Sequence, residues 1–177
     1  MKMLKKLLAV VLTGAMALTL FTACGSNAVR DKDIADALNN IVKLNDSEVT
    51  FTPRAKGREM AQKVAALLES HSEDDSNSAE LSAKIQGILG IDQGGVNENN
   101  FVWVQNALTD KLGAEGQAFQ VMESLTDKGG AYNFSSLGSK EPADTRYMGT
   151  ALCKIPDQKD NLVTVRVIVV TAKAEDE

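Results

Sequence analysis

The chain has 177 residues and carries 19 basic and 24 acidic side chains, a formal net charge of -5 at pH 7. Residues 1–23 contain three lysines and no acid, so the remaining 154 residues carry 16 basic and 24 acidic side chains and a net charge of -8. An acidic surface of this kind disfavours binding to nucleic acid, and the length is typical of one domain with a sizeable core.

The first 24 residues have the three-part layout of a secretory signal. Lys2, Lys5 and Lys6 form a basic head, an apolar stretch occupies residues 7–20, and small residues lead to Cys24. The apolar stretch is about 14 residues long, shorter than the roughly 20 residues that a membrane-spanning helix needs. The pattern therefore predicts a segment that directs export and is then removed.

The segment LFTACGS places Cys24 directly after the apolar stretch. It resembles the lipobox of bacterial lipoproteins, and this resemblance implies that Cys24 is joined to a diacylglycerol and becomes the first mature residue. Two acyl chains suffice for stable anchoring, because each buried CH₂ contributes about 0.8 kcal/mol. An ordinary signal with an incidental cysteine is the alternative. We expect a signal peptide over 1–23, a lipidated tether over 24–32 and a single domain over 33–174.

Helical spacing of apolar residues predicts three helices, around 34–42, 60–68 and 81–89, with a short extended piece before Pro53. Thr52 and Pro53 are a start signal for the second of these helices. The segment FVWVQNALTDKLG, residues 101–113, is ambiguous, because its first four residues could begin a strand. The spacing of its apolar residues fits a helix better. A fifth helix is predicted over 117–128.

From Arg146 onward the hydrophobic period changes to two, which predicts two strands, RYMGTALCKI and NLVTVRVIVVTA, joined by PDQKDN. The second strand has valines on one face, while Ile168 and Val170 lie on the other. Apolar side chains on both faces are typical of a central strand covered by helices above and below. The sequence predicts a single α+β domain, with about five helices on a small antiparallel sheet, a C-terminal β-hairpin and a layered α/β/α arrangement.

The order of these elements resembles the SCP-like extracellular domain of the CAP superfamily over residues 33–172. VNENNFVWV is similar to the family's Gly-Glu-Asn-aliphatic segment, which places Glu98 and Asn99 in a candidate cleft. YMGTALCKI with VTVRVIVV is similar to the family's final hairpin. The family's cleft holds two histidines, whose places fall here at Val64 or Ala65 and near Ala131. The resemblance therefore implies a CAP-like α/β/α sandwich that has lost the metal cleft.

Few residues in the chain indicate catalysis. His71 is the only histidine, and its polar surroundings, SHSEDDSNS, predict a solvated surface residue, so no multi-histidine metal site is expected. Cys153 has no partner once Cys24 is acylated, and its apolar neighbours favour burial over a reactive thiol. Trp103 and Phe101 could form a ligand-binding face, but their spacing favours core packing.

The sequence predicts an extracytoplasmic lipoprotein, held on the cell membrane through the lipid on Cys24. Its predicted role is a non-catalytic binding or structural module of the cell envelope, with no cofactor and with an envelope ligand or protein as partner. The alternative is a hydrolase of envelope polymers that uses two carboxylates without histidine, and Glu98, Asp92 and Asp110 are its candidate acids. A solute-binding lipoprotein is disfavoured, because such proteins resemble longer, two-lobed folds.

Overall fold

The computed structural model describes residues 29–45, 47–70, 78–90, 96–97, 100–126, 140–157 and 159–176. These segments form four helices and five strands. In chain order they are α1 (Asp31–Lys43), β1 (Thr50–Pro53), α2 (Ala55–Ser70), α3 (Ser78–Leu89), β2 (Val96–Asn97), β3 (Asn100–Thr109), α4 (Ala114–Thr126), β4 (Lys140–Pro156) and β5 (Leu162–Asp176). None of the helices in these segments combines the length and the hydropathy that crossing a membrane requires.

Local contacts define both ends of α1. At its start, the Arg30 amide donates to the Asp33 carboxylate over 2.9 Å, which satisfies a backbone group that the helix leaves without an internal partner. Acids in its first turn and Lys43 in its last complement the helix dipole. Near its end, the Asn39 side chain donates to the Phe51 carbonyl and accepts from the Phe51 amide. This paired contact ties α1 to the backbone of β1.

The five strands form one mixed sheet in the order β1-β4-β5-β3-β2. β1 is parallel to β4, and the other neighbouring pairs are antiparallel. The long β4–β5 hairpin brings Gly149 opposite Val169, and β5 is the central strand. The strands at the two edges are short, four residues in β1 and two in β2.

Helices cover both faces of the sheet and enclose two apolar clusters. On one face, α1 and α4 pack over Phe101, Trp103 and Ile168. On the other face, α2 and α3 pack over valines of β3 and β5 and over Cys153. The predicted α/β/α layering and the predicted central C-terminal strand are therefore confirmed.

The helix predicted over residues 101–113 is wrong, because residues 100–109 form β3. Phe101 and Trp103 face the α1 layer, whereas Val102 and Val104 face the α2 layer. Between Gln105 and Leu108 the register with β5 shifts, and this irregularity returns Leu108 to the α1 layer. A strand that is buried on both faces and carries such a shift imitates helical spacing.

Three further predictions differ from the structure. The sheet is mixed rather than antiparallel, because the extended piece before Pro53 pairs in parallel with β4. Helix α2 begins at Ala55, after Pro53 has completed β1, rather than at Pro53 itself. The described residues contain four helices where about five were predicted.

Candidate functional site

Several residues singled out in the sequence lie outside the described residues, and the structure places none of them. These are Cys24, His71, Asp92, and the candidate cleft residues Glu98 and Asn99. The lipidation site and the CAP-like cleft therefore stay predictions. Within the described residues, no group of three or more histidine, cysteine, aspartate or glutamate side chains could hold a metal ion.

Other singled-out residues belong to the core. Phe101 and Trp103 are 1% and 3% exposed, which confirms packing rather than a ligand-binding face. Cys153 is 2% exposed, and burial raises the pKa of its thiol, with a smaller contribution from the nearby Glu69 carboxylate. Burial of this thiol is confirmed. Val64 and Ala65, at which the CAP resemblance places a histidine, are buried in α2.

A cavity with a volume of about 160 Å³ opens where the start of α2 passes over the sheet. Its apolar part is formed by Met60, Leu89 and Val102, from α2, α3 and β3. Tyr147 of β4 and Thr171 of β5 add polar groups. We refer to this cavity as the α2 pocket.

The charged groups among the described residues of the α2 pocket are all positive. Arg54, Lys56 and Lys173 line it, and the described part of its lining includes no carboxylate, histidine or cysteine. The Arg54 guanidinium carbon lies 3.3 Å from the centre of the Tyr147 ring, a cation–π contact that holds the arginine over the pocket wall. Among the described residues, none of the three cations forms a salt bridge.

The start of α2 adds further positive potential to the pocket. A helix N-terminus carries a partial positive charge, and acids are usually favoured there. The first turn of α2 contains no acid. It contains Lys56 and comes directly after Arg54. Backbone dipole and side chains therefore act in the same direction, toward attraction of an anion.

Two glycines place this helix end against the sheet. A Cβ added to Gly57 would lie 2.8 Å from the Gly149 nitrogen, and a Cβ added to Gly149 would overlap the backbone at Gly57 and Arg58. The Arg54 amide also donates to the Met148 carbonyl over 2.8 Å. The first turn of α2 is therefore in direct backbone contact with β4, beside Tyr147.

Arg58, the next residue of α2, joins a polar network whose other members, Asp31, Thr150 and Arg166, lie in α1 and on the α1 face of the sheet. Arg58 Nε donates to Asp31 Oδ2 over 2.8 Å, and the Thr150 hydroxyl donates to Asp31 Oδ1 over 2.7 Å. Arg166 Nη1 donates to the Thr150 hydroxyl, and its Nη2 donates to the Val29 carbonyl, both over 2.9 Å. Both oxygens of the Asp31 carboxylate are engaged, so the network holds α1, α2, β4 and β5 together.

The charged side chain of Arg166 is buried within the protein. Burial lowers the pKa of its guanidinium, and the carboxylates of Asp31 and Asp110 oppose this effect. Asp110 is the one candidate hydrolase acid among the described residues, and its electrostatic interaction is with this buried cation.

No protein-family model, no curated protein and no solved structure matches the chain. The geometry of the α2 pocket and the predicted export segment therefore carry the functional interpretation.

The α2 pocket was not predicted from the sequence. Its residues come from α2, α3 and three strands, and Lys173 is far from Arg54 in the chain. One local signal was present, since Arg54 and Lys56 flank a helix start at which acids are usual.

Proposed function

We propose that this protein is a lipid-anchored, extracytoplasmic binding module of the bacterial cell envelope that holds an anionic ligand without transforming it. The α2 pocket is the observation that carries the proposal. It brings three cations together over an apolar floor, and none of them forms a salt bridge with another described residue. The chain as a whole has a negative net charge.

The size of the pocket limits what it holds. At about 160 Å³ it is smaller than the roughly 300–1,000 Å³ of pockets that enclose drug-sized ligands. It suits a charged end group, such as a phosphate or carboxylate, together with a short apolar portion against Met60 and Val102. The pocket thus fits the terminus of a larger envelope component.

The proposed localisation rests on the resemblance of the segment around Cys24 to a lipobox. A CAP-like fold stays a prediction that concerns the ancestry of the domain, and the proposed binding does not depend on it. Hydrophobic Val64 and Ala65, buried where that family has a histidine, agree with a domain that lacks the family's metal cleft.

Titration with phenyl phosphate and inorganic phosphate, followed by NMR, tests the pocket. We expect amide signals around Gly57 and Thr171 to shift, and phenyl phosphate to bind more tightly than phosphate because its ring contacts the apolar floor. Arg54→Gln and Lys173→Gln should each weaken binding by roughly tenfold, the loss of one charge-assisted contact. Lys63→Gln, which removes an exposed lysine of α2 outside the pocket lining, is the matched control.

If the wild-type protein and Arg54→Gln bind phenyl phosphate with equal affinity, the α2 pocket is not the anion-binding site. The proposed localisation is tested separately by mass spectrometry of the protein extracted from membranes. We expect a first residue Cys24 that carries acyl chains, whereas an intact leader would refute the anchoring.

A further inference from the structure

The central strand contacts Val29, which lies close to Cys24 in the sequence. Arg166 is 4% exposed, and its Nη2 donates to the Val29 carbonyl over 2.9 Å. Val29 itself packs against the apolar cluster beneath α1. Val29 therefore lies on the α1 face of the sheet, above β5.

Two exposed leucines lie on the same face of the sheet as Val29. Leu152 is directly opposite Arg166 in the β4–β5 pair, and Leu162 precedes Arg166 by four residues on β5. Side chains an even number of residues apart on a strand share a face, and directly paired residues share a face as well. Leu152 and Leu162 are 45% and 71% exposed, so the α1 face carries an uncovered apolar end.

We propose that this end of the hairpin, with Leu152 and Leu162, docks on the lipid surface to which the chain is anchored. The inference rests on the proposed lipidation of Cys24. Val29 is five residues after Cys24, and a fully extended chain of that length spans about 17 Å. The acyl chains therefore keep Val29 within that distance of the bilayer, on the face of the sheet that carries the two leucines.

Charges around the leucines are mixed. Lys111, Lys154 and Lys159 are exposed, but Asp157 and Asp160 lie at the same hairpin end. Hydrogen bonds from the backbone amides of Asn161 and Lys159 lower the pKa of Asp157, so this carboxylate stays charged. Because the five charges nearly cancel, with an excess of one positive charge, the docking is apolar insertion, and it should depend little on salt or on anionic lipid.

Site-specific labelling of the full-length lipoprotein in vesicles tests the docking. The acylated protein is reconstituted into phosphatidylcholine vesicles, and an environment-sensitive fluorophore is attached to Leu162→Cys, since Cys153 is buried. The matched control is Leu44→Cys, 74% exposed just beyond the end of α1. We expect the emission at position 162 to move to shorter wavelength and to be quenched by spin-labelled lipids, and the emission at position 44 to do neither.

A second substitution separates insertion from mere proximity. Leu152→Gln, added to the labelled Leu162→Cys protein, should reduce the quenching, whereas Leu44→Gln should not. If the protein floats with the vesicles but the labels at positions 162 and 44 are equally exposed to water, the docking is refuted, whereas the lipid anchoring is supported. Failure to float refutes both. A shift that depends on protein concentration, without quenching by lipid, would show that a second copy covers this face and would refute docking on lipid.

Discussion

Gly57 of α2 and Gly149 of β4 meet backbone to backbone, and neither position has room for a side chain. A Cβ on Gly57 would lie 2.8 Å from the Gly149 nitrogen, closer than real contacts of this kind. A Cβ on Gly149 would collide with the main chain of α2 itself, which cannot rotate away as a flexible side chain can. The pair sets the distance between the helix and the sheet, and so the shape of the α2 pocket.

We predict that Gly149→Ala lowers the free energy of unfolding by at least about 3 kcal/mol, because the helix must move off the sheet. Urea denaturation measures the change. Gly87→Ala is the matched control, since nothing lies within 4 Å of a Cβ at Gly87 in α3. It should stabilise the protein by up to about 1 kcal/mol, the helix propensity difference. Equal stabilities of the two variants would contradict the close contact.

The Thr150 hydroxyl is the centre of the buried network. It donates to Asp31 over 2.7 Å and accepts from Arg166 over 2.9 Å. Thr150→Val keeps the shape and removes both hydrogen bonds, so we expect a loss of about 2–3 kcal/mol from two charged groups left without this partner. Thermal unfolding, compared with Thr145→Val at an exposed position of the same strand, checks this. A loss as small as that of the control would mean that the network contributes little.

The buried thiol of Cys153 should be protected in the folded protein. Because the folded pKa is raised above its ordinary value of 9.0, the thiol form is favoured by folding. Its contribution to stability is present below the unfolded pKa and is lost as pH rises through the folded pKa. We expect slow reaction with iodoacetamide until denaturant is added, and a loss of stability at alkaline pH that Cys153→Val lacks. Rapid labelling of the native protein would contradict this.

Asp33, at the start of α1, should titrate well below an ordinary aspartate. Hydrogen bonds from the Arg30 side chain, and then from the Arg30 amide, lower its pKa from 3.8 to about 2. Its contribution to stability is present above the unfolded pKa and is lost as pH falls through about 2. In Arg30→Ala the amide contact is retained, so the pKa should return only part of the way, as NMR titration of the carboxyl carbon can measure. An unchanged pKa in the variant would assign the shift to other groups.

Local patterns predicted much of the fold and little of the site. The layering followed from the sequence because burial imposes a short period on each element, such as the valines at every second position of β5. The period failed on residues 101–113, where burial on both faces and a register shift at Gln105 made a strand imitate a helix. A short stretch of sequence cannot distinguish a helix from a strand of this kind.

What the sequence determined by itself is the amphipathic helices and the central hairpin strand, since each depends on neighbours a few residues away; the export segment stays a prediction from the same kind of local pattern. The tertiary structure alone decided which polar groups meet. Asp31 and Thr150 are 119 positions apart, and Arg166 reaches back 137 positions to Val29. The same holds for Arg54 and Lys173 around the α2 pocket. Such contacts arise where helices and strands pack together, and no periodicity along the chain records them.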